Sequence, residues 1–169
     1  MAYNDAPASN PTNTDIYVIH SDDNGSSWTA TNAVKINTDT TTNSQFFPRI
    51  AVDQTSGKVV VSWYDCRGDT NKIKTQFYAA VSCDGGATFS SNNLQLETGQ
   101  SDAPATTASP CQFPQGPGYS PNIEYGDYTG AAFYGGYFYS TWADNSNTVA
   151  GNPDCCTCGM DIYVAKVKY

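Results

Sequence analysis

Hydrophobic and polar residues alternate over short runs along the chain, and no stretch shows the 3.6-residue spacing of an amphipathic helix. β-Branched and aromatic residues fill these runs, and Gly, Pro, Asn and Asp separate them, which is typical of strands joined by turns. The clearest predicted strands cover residues 15–20, 59–63, 75–82, 137–142 and 161–167. Weaker runs predict strands at 35–37, 49–52, 94–97 and 129–133. The pattern predicts an all-β protein with two long loops, at 98–125 and 143–159.

A repeated pattern divides the chain into similar units. "SDDNGSSW" (21–28) and "SCDGGATF" (82–89) share the pattern Ser-x-Asp-x-Gly-x-x-aromatic. The aromatic-x-Asp triplets "YND", "WYD" and "WAD" precede strands that also match one another, "DIYVIHS", "QFYAAVS" and "DIYVAKV". Each unit therefore predicts a four-stranded antiparallel sheet of the kind that forms a propeller blade.

The two Ser-x-Asp-x-Gly turns are predicted to be structural. In each turn the Asp is expected to accept backbone N–H groups, the Gly to adopt a positive φ, and the aromatic residue to be buried. A calcium-binding EF-hand loop is excluded because its twelfth position would be Thr31 rather than Glu. Asn24-Gly25-Ser26 is formally a glycosylation sequon, but the tight turn gives it little weight. The residues of the two turns are Ser21, Asp23, Gly25 and Trp28, and Ser82, Asp84, Gly86 and Phe89.

The turn pattern resembles the Asp box, or BNR repeat, of the sialidase-like β-propellers. Residues 126–167, from "GDYTGAAFYGG" to "DIYVAKV", are similar to the closing blade of secreted bacterial members. The family normally has about six blades arranged around a closed ring. The resemblance implies that this chain is a C-terminal portion, a partial β-propeller of about two and a half to three four-stranded antiparallel blades.

The resemblance also divides the chain. Residues 1–45 are expected to form a partial blade with the end of its second strand, its third and fourth strands and the first Asp box. Residues 46–97 are expected to form a complete blade with the second Asp box, followed by the Pro-, Gly-, Ser- and Thr-rich loop 98–125. Residues 126–169 are expected to form a closing blade that lacks its fourth strand. Such an open arrangement would expose sheet edges, which further blades or self-assembly would cover.

Sialidases carry their active site on the face opposite the Asp boxes, and this points to candidate ligand-binding residues. On that face we expect four polar candidates, Arg49, Asp65, Arg67 and Asp144. They either brace loops by salt bridges or bind a glycan. In the second case Trp63, Trp142, Tyr125 or Tyr128 would stack on sugar rings.

A complete sialidase site is not expected in this chain alone. Sialidases use three arginines to bind the substrate carboxylate, a Tyr–Glu pair as nucleophile and an Asp as acid/base, whereas this chain has two arginines. "FPRI" (47–50) only superficially matches the family's arginine motif, because its proline is in a different place. The weak catalytic candidates are Glu124, Asp127 and Tyr128. We therefore expect a glycan-binding or structural module. The alternatives are an exo-sialidase completed by other blades or subunits, and a building block of an extracellular assembly.

Charge and composition restrict the partners and the location. Acidic residues outnumber basic ones, 16 to 8, and the net charge of −8 argues against nucleic acid as a partner. No apolar run reaches the ~20 residues that a membrane-spanning helix needs. Six cysteines and twelve tyrosines favour a secreted, extracellular protein. With His20 as the single histidine, neither a metal site nor a cofactor is expected.

The cysteines are disulfide candidates. Bridged Cα atoms lie within about 7 Å, whereas a strand of five or six residues spans ~17–20 Å, so a bond between Cys66 and Cys83 across a blade is not expected. We expect Cys111 to pair with one cysteine of the 155–158 cluster and Cys66 to be available for another. Zinc bound by the cluster and Cys111 is the alternative. The candidates are Cys66, Cys111, Cys155, Cys156 and Cys158.

Overall fold

The computed structural model describes residues 1–102, 125, 128–146 and 161–169. These residues form an all-β structure in which the only helix is a single 3-10 turn at Ala30–Asn32. The strands are β1 (Ala2–Asp5), β2 (Asp15–Val18), β3 (Val34–Lys35), β4 (Gln45–Val52), β5 (Val59–Asp65), β6 (Lys74–Ser82), β7 (Leu94–Gln95), β8 (Ser101–Asp102), β9 (Gly130–Tyr134), β10 (Tyr137–Asp144) and β11 (Asp161–Lys168). The predicted all-β class is confirmed.

The strands form three antiparallel sheets. The first sheet has the order β1-β2-β3, the middle sheet β4-β5-β6-β7, and the last sheet β11-β10-β9. Strand β8 pairs with the beginning of β6, so the predicted loop 98–125 opens with a short strand. None of the three sheets closes on itself, and the division of the chain into blades remains a prediction.

The central strands of the middle sheet, β5 and β6, are buried on both faces, which explains their apolar sequence. Every residue of β5 is buried, and alternate side chains of a strand point to opposite faces. Val61 and Trp63 pack towards the first sheet with Ile16. Val60 packs on the other face, towards Phe138 of the last sheet. The core therefore consists of two apolar layers, one on each side of the middle sheet.

Aromatic side chains dominate the layer between the middle and last sheets. The rings of Phe77 and Trp142 are stacked with centroids 4.6 Å apart and an interplanar angle of 4°. Tyr64 contacts Phe77 edge to face at 4.9 Å, and its hydroxyl group donates to the carbonyl oxygen of Ala143 at 2.9 Å. Trp63, Trp142 and Tyr64 are all at most 3% exposed. The tryptophans considered for stacking on sugars are therefore core residues.

The three sheets approach one another most closely along their first strands. Strand β4 contacts β1 on one side and β9 on the other. The β4–β5 turn is fastened to the last sheet by Asp53, which is fully buried. Its carboxylate accepts the backbone N–H groups of Gly135 and Gly136 at 3.1 and 2.7 Å. Burial would raise the pKa of Asp53, but these hydrogen bonds and those from Thr55 and Ser56 outweigh it and lower the pKa.

The first Ser-x-Asp-x-Gly turn has the predicted internal bonding. Ser21 Oγ donates to Asp23 Oδ1 at 2.6 Å and accepts the N–H of Gly25 at 2.9 Å. Asp23 Oδ1 also accepts the N–H of Ser27 at 2.9 Å. The hydrogen bonds from Ser21 and Ser27 lower the pKa of Asp23 to about 2.

The second turn repeats these bonds almost atom for atom. Ser82 Oγ donates to Asp84 Oδ1 at 2.7 Å and accepts the N–H of Gly86 at 2.8 Å, while Asp84 Oδ1 accepts the N–H of Thr88 at 2.9 Å. Gly25 and Gly86 have φ values of 84° and 99°, as expected for the left-handed region. The structural interpretation of both turns is therefore supported by their contacts.

One expectation for these turns is wrong. Phe89 packs against the core as expected, but Trp28 is 48% exposed. Its indole N–H donates to the carbonyl oxygen of Gly25 at 3.1 Å, so the ring folds across its own turn instead of entering the core.

Within the described residues, no helix is long and apolar enough to cross a membrane.

Candidate functional site

An open cleft of about 260 Å³ lies where the first strands of the three sheets meet. Residues from β1, β4 and the start of the last sheet surround it, and they are Ala2, Tyr3, Asn4, Phe47, Pro48, Arg49 and Thr129. The cleft combines a cation, aromatic rings and short polar groups in one concave surface. Its surface is mostly polar, and polar groups of this kind fix the orientation of a bound ligand.

A β-bulge shapes one wall of the cleft. The register between β4 and β5 shifts between Phe46 and Arg49, and Phe47 has a φ of 53°, which is unusual for a residue with a side chain. Pro48 has no backbone N–H for the ladder. Bulges redirect side chains near functional sites. Here the irregular segment leaves the Phe47 ring 38% exposed at the cleft.

The guanidinium group of Arg49 is the main charged group of the cleft. It lies 5.5 Å from the ring centroid of Tyr128, a cation–π distance, and Tyr128 is 81% exposed. Among the residues that the structure describes, the Arg49 side chain forms no salt bridge and donates no hydrogen bond. The described residues therefore leave its guanidinium donors open to a ligand.

Arg67, the second arginine, has internal partners. Its Nη2 atom donates to Asp65 Oδ2 at 2.6 Å and to Asn93 Oδ1 at 2.9 Å, and the guanidinium group stacks on Tyr78 at 4.3 Å. Asp65 is fully buried and also accepts the indole N–H of Trp63 at 2.8 Å. These contacts favour the loop-bracing interpretation of Asp65 and Arg67 over ligand binding.

Asp144 belongs to a buried carboxyl pair that the sequence reasoning missed. Its side chain and that of Glu97 hydrogen-bond each other. The indole N–H of Trp142 donates to Glu97 Oε2 at 2.8 Å and to Asp144 Oδ2 at 3.3 Å. Both acids are less than 10% exposed.

The environment shifts the pKa values of the two acids in opposite directions. Burial, followed by the bond to Asp144 and its charge, raises the pKa of Glu97 to about 9. Burial would also raise the pKa of Asp144, but hydrogen bonds from Glu97, Ser146 and Trp142 lower it. At neutral pH the pair therefore holds one proton, on Glu97, which donates it in a hydrogen bond to the Asp144 carboxylate.

The repeated aromatic-x-Asp triplet has a structural explanation. In "WYD" and "WAD" the Trp and the Asp lie two residues apart and therefore on one face of the strand. Trp63 donates to Asp65 and Trp142 to Asp144 through their indole N–H groups. In "YND" the aromatic residue has no such group, and Asp5 instead accepts the N–H of Ala6. This repeat was the sequence signal for the buried Asp144.

The predicted ligand-binding residues lie in three separate places. Arg49 lines the open cleft, Asp65 and Arg67 form an internal pair, and Asp144 is buried with Glu97. Tyr128 contacts Arg49. Glu124 and Asp127 lie outside the described residues, so a Glu124–Tyr128 catalytic pair stays a prediction.

Cys66 and Cys83, the cysteines within the described residues, are not bonded to each other. Cys66 is buried and Cys83 is exposed, so neither a bond between them nor a disulfide at Cys66 is shown. Burial, followed by the charges of Asp65 and Asp69, raises the pKa of Cys66 to about 12, which makes this thiol unreactive. The other candidates lie outside the described residues, namely Cys111, Cys155, Cys156 and Cys158. The described part of the chain contains no group of three or more His, Cys, Asp or Glu placed to hold a metal ion.

The chain matches no protein-family model and no curated protein.

Proposed function

We propose that the chain is part of a secreted, sialidase-like β-propeller and binds glycans in the cleft at Arg49. The observation that carries the binding proposal is the guanidinium group itself, which faces the cleft without an ionic partner among the described residues. An arginine in such a position can bind a carboxylate through two parallel hydrogen bonds.

The propeller part of the proposal is supported by two features. Three antiparallel sheets pack face to face and come closest along their first strands, as blades around an axis do. Both Asp boxes make the same set of hydrogen bonds at equivalent turns. The resemblance to secreted relatives then suggests an extracellular location.

The chemistry of the cleft favours an acidic sugar. The Phe47 and Tyr128 rings are exposed beside Arg49 and offer apolar faces to the C–H groups of a sugar ring. Asn4 and Thr129 add short polar groups that can bind hydroxyl groups. The volume of about 260 Å³ is slightly below the ~300 Å³ at which ligand pockets begin. We therefore expect a short ligand, or only the end of a longer glycan, to occupy the cleft.

The test compares acidic with neutral sugars by calorimetry. We expect a sialic acid or uronic acid glycoside to bind more tightly than its neutral counterpart, and Arg49→Ala to weaken acidic-sugar binding at least tenfold. Arg49→Lys should restore only part of the affinity because it lacks the planar fork. Lys58→Ala is the matched control, since it removes one positive charge from a turn that is not part of the cleft. Equal affinity for wild type and Arg49→Ala would overturn the proposal.

A hydrolase requires more than this cleft provides. Of the two arginines, only Arg49 lacks a salt bridge to the described residues, and Arg67 braces Asp65. We therefore expect no turnover of a fluorogenic sialoside by this chain. Turnover that Arg49→Ala abolished would instead favour the exo-sialidase alternative.

A further inference from the structure

The outer face of the last sheet is apolar although it faces away from the rest of the described structure. Ile162 is 74% exposed and Val164 64% exposed, and Tyr139 on the neighbouring strand is 42% exposed. The opposite face of the same sheet carries Phe138 and Trp142, which are buried. A sheet with one solvated face normally alternates apolar and polar residues. Apolar residues on both faces of this sheet indicate that the outer face is also an interaction surface.

Lysines lie beside this apolar surface. The Lys166 ammonium group lies 4.5 Å from the ring centroid of Tyr137, and that of Lys168 lies 5.9 Å from the same ring. Both lysines lie at alternate positions of β11 after Ile162 and Val164, and therefore on the same outer face. The outer face of the last sheet therefore offers an apolar centre with two positive charges.

The outer face of the first sheet, at the other end of the stack, carries complementary charge. Tyr17 stacks on Tyr3 with ring centroids 5.8 Å apart. Asp5 and Asp15 lie opposite each other in the register, next to this tyrosine pair. Lys35 pairs with Asp15 at 2.7 Å, whereas Asp5 is exposed and forms no salt bridge to any residue that the structure describes. This face is therefore aromatic with a net negative charge.

We propose that the outer face of the last sheet binds the outer face of the first sheet in a second copy of this chain. The contact would repeat the face-to-face packing already present between the three sheets, with Lys166 and Lys168 placed against Asp5. Because the two faces differ, the contact is heterologous, and copies can add head to tail until the arrangement closes. Tyr3 belongs both to this face and to the wall of the cleft at Arg49, so the association is measured without sugar.

Sedimentation velocity at ~1 to 200 µM tests the association. Wild type is expected to form a closed oligomer, and Ile162→Glu to weaken association at least tenfold by placing a charge in the apolar centre. Ile73→Glu is the matched control, since Ile73 is also exposed, at 60%, but lies on neither face. Asp5→Lys should likewise produce monomers by removing the opposing charge. A wild-type protein that stays monomeric over this range would overturn the proposal.

Mixing the two monomeric variants identifies the faces. Ile162→Glu keeps the first-sheet face and Asp5→Lys keeps the last-sheet face, so an equimolar mixture should form a one-to-one heterodimer. A symmetric contact between two last sheets predicts instead that Asp5→Lys still associates by itself. That result, or a mixture that stays monomeric, would overturn the head-to-tail assignment. Circular dichroism of each variant confirms that loss of association is not loss of folding.

Discussion

Replacing Glu97 by Gln should change how the stability of the protein depends on pH. In the folded protein, protonated Glu97 donates to Asp144 and accepts from the Trp142 indole. Glutamine can reproduce both bonds, because its amide N–H₂ donates and its carbonyl oxygen accepts. The variant therefore keeps the hydrogen bonds without needing a proton.

The direction of this pH dependence follows from the raised pKa of Glu97. Folding moves the pKa of Glu97 from 4.5 to about 9, so between these values the folded state holds a proton that the unfolded state has released. The stability contributed by Glu97 is thus fully present below about pH 4.5 and is lost as the pH rises towards 9. One proton corresponds to about 1.4 kcal/mol per pH unit. From pH 6 to 8, wild type should lose about 3 kcal/mol that Glu97→Gln retains.

Urea unfolding at pH 6, 7 and 8, followed by tryptophan fluorescence, measures this difference. The gap between the free energies of unfolding of Glu97→Gln and wild type should grow with pH. In thermal melts the gap should grow by about 6–12 °C over the same range, since 1 kcal/mol shifts Tm by roughly 2–4 °C at this chain length. Asp22→Asn, which removes an exposed carboxylate outside the cleft and both outer faces, should follow the wild-type curve. Parallel curves for Glu97→Gln and wild type would refute the shared proton.

Three further substitutions test the packing. Asp53→Asn should lower Tm, because its carboxylate accepts the Gly136 N–H across two sheets. The pKa of Asp53 is lowered, so this stability is present at neutral pH and begins to be lost only as the pH falls below about 4, the ordinary pKa of Asp. In melts between pH 3 and 7, the Tm gap between wild type and Asp53→Asn should therefore narrow towards pH 3 without closing. Phe138→Ala leaves a cavity between the middle and last sheets and should lower the free energy of unfolding in urea by about 3–5 kcal/mol, because Phe138 is fully buried. A loss below about 1 kcal/mol would contradict this burial. Ser82→Ala should lower the free energy of unfolding by about 1–3 kcal/mol and Ser21→Ala by at most about 1 kcal/mol, because only Ser82 is fully buried. The reverse order in chemical unfolding would argue against the burial explanation.

Most of the strands and the two Ser-x-Asp-x-Gly turns could be predicted from the sequence because both depend on local patterns, whereas β8 and the first half of β4 could not. Period-two alternation marks β10 and β11, and the Ser-x-Asp-x-Gly spacing fixes hydrogen bonds within a few residues. Trp28 was placed wrongly because a bond to its own turn competes with burial. Local patterns therefore predict most of the secondary structure but not the burial of every side chain.

The carboxyl pair, the Asp53 contact and the cleft could not be predicted in this way. Glu97 and Asp144 meet only because the middle and last sheets pack together, and Asp53 reaches a turn of another sheet. The cleft depends on a bulge at β4 and on three sheets meeting along their first strands. Arg49 and Arg67 were equal candidates in sequence, and only their contacts separate a braced arginine from an available one.

The most direct test of glycan binding at Arg49 uses the side-chain Nε–H signals of arginine in a ¹H–¹⁵N spectrum. The chain has two arginines, so Arg67, held by Asp65, is an internal control for Arg49 in the same sample. Titration with an acidic monosaccharide glycoside should shift the Arg49 signal in a saturable way and leave the Arg67 signal in place. An Arg49 signal that does not move at saturating sugar, or a shift confined to Arg67, would contradict the proposed function.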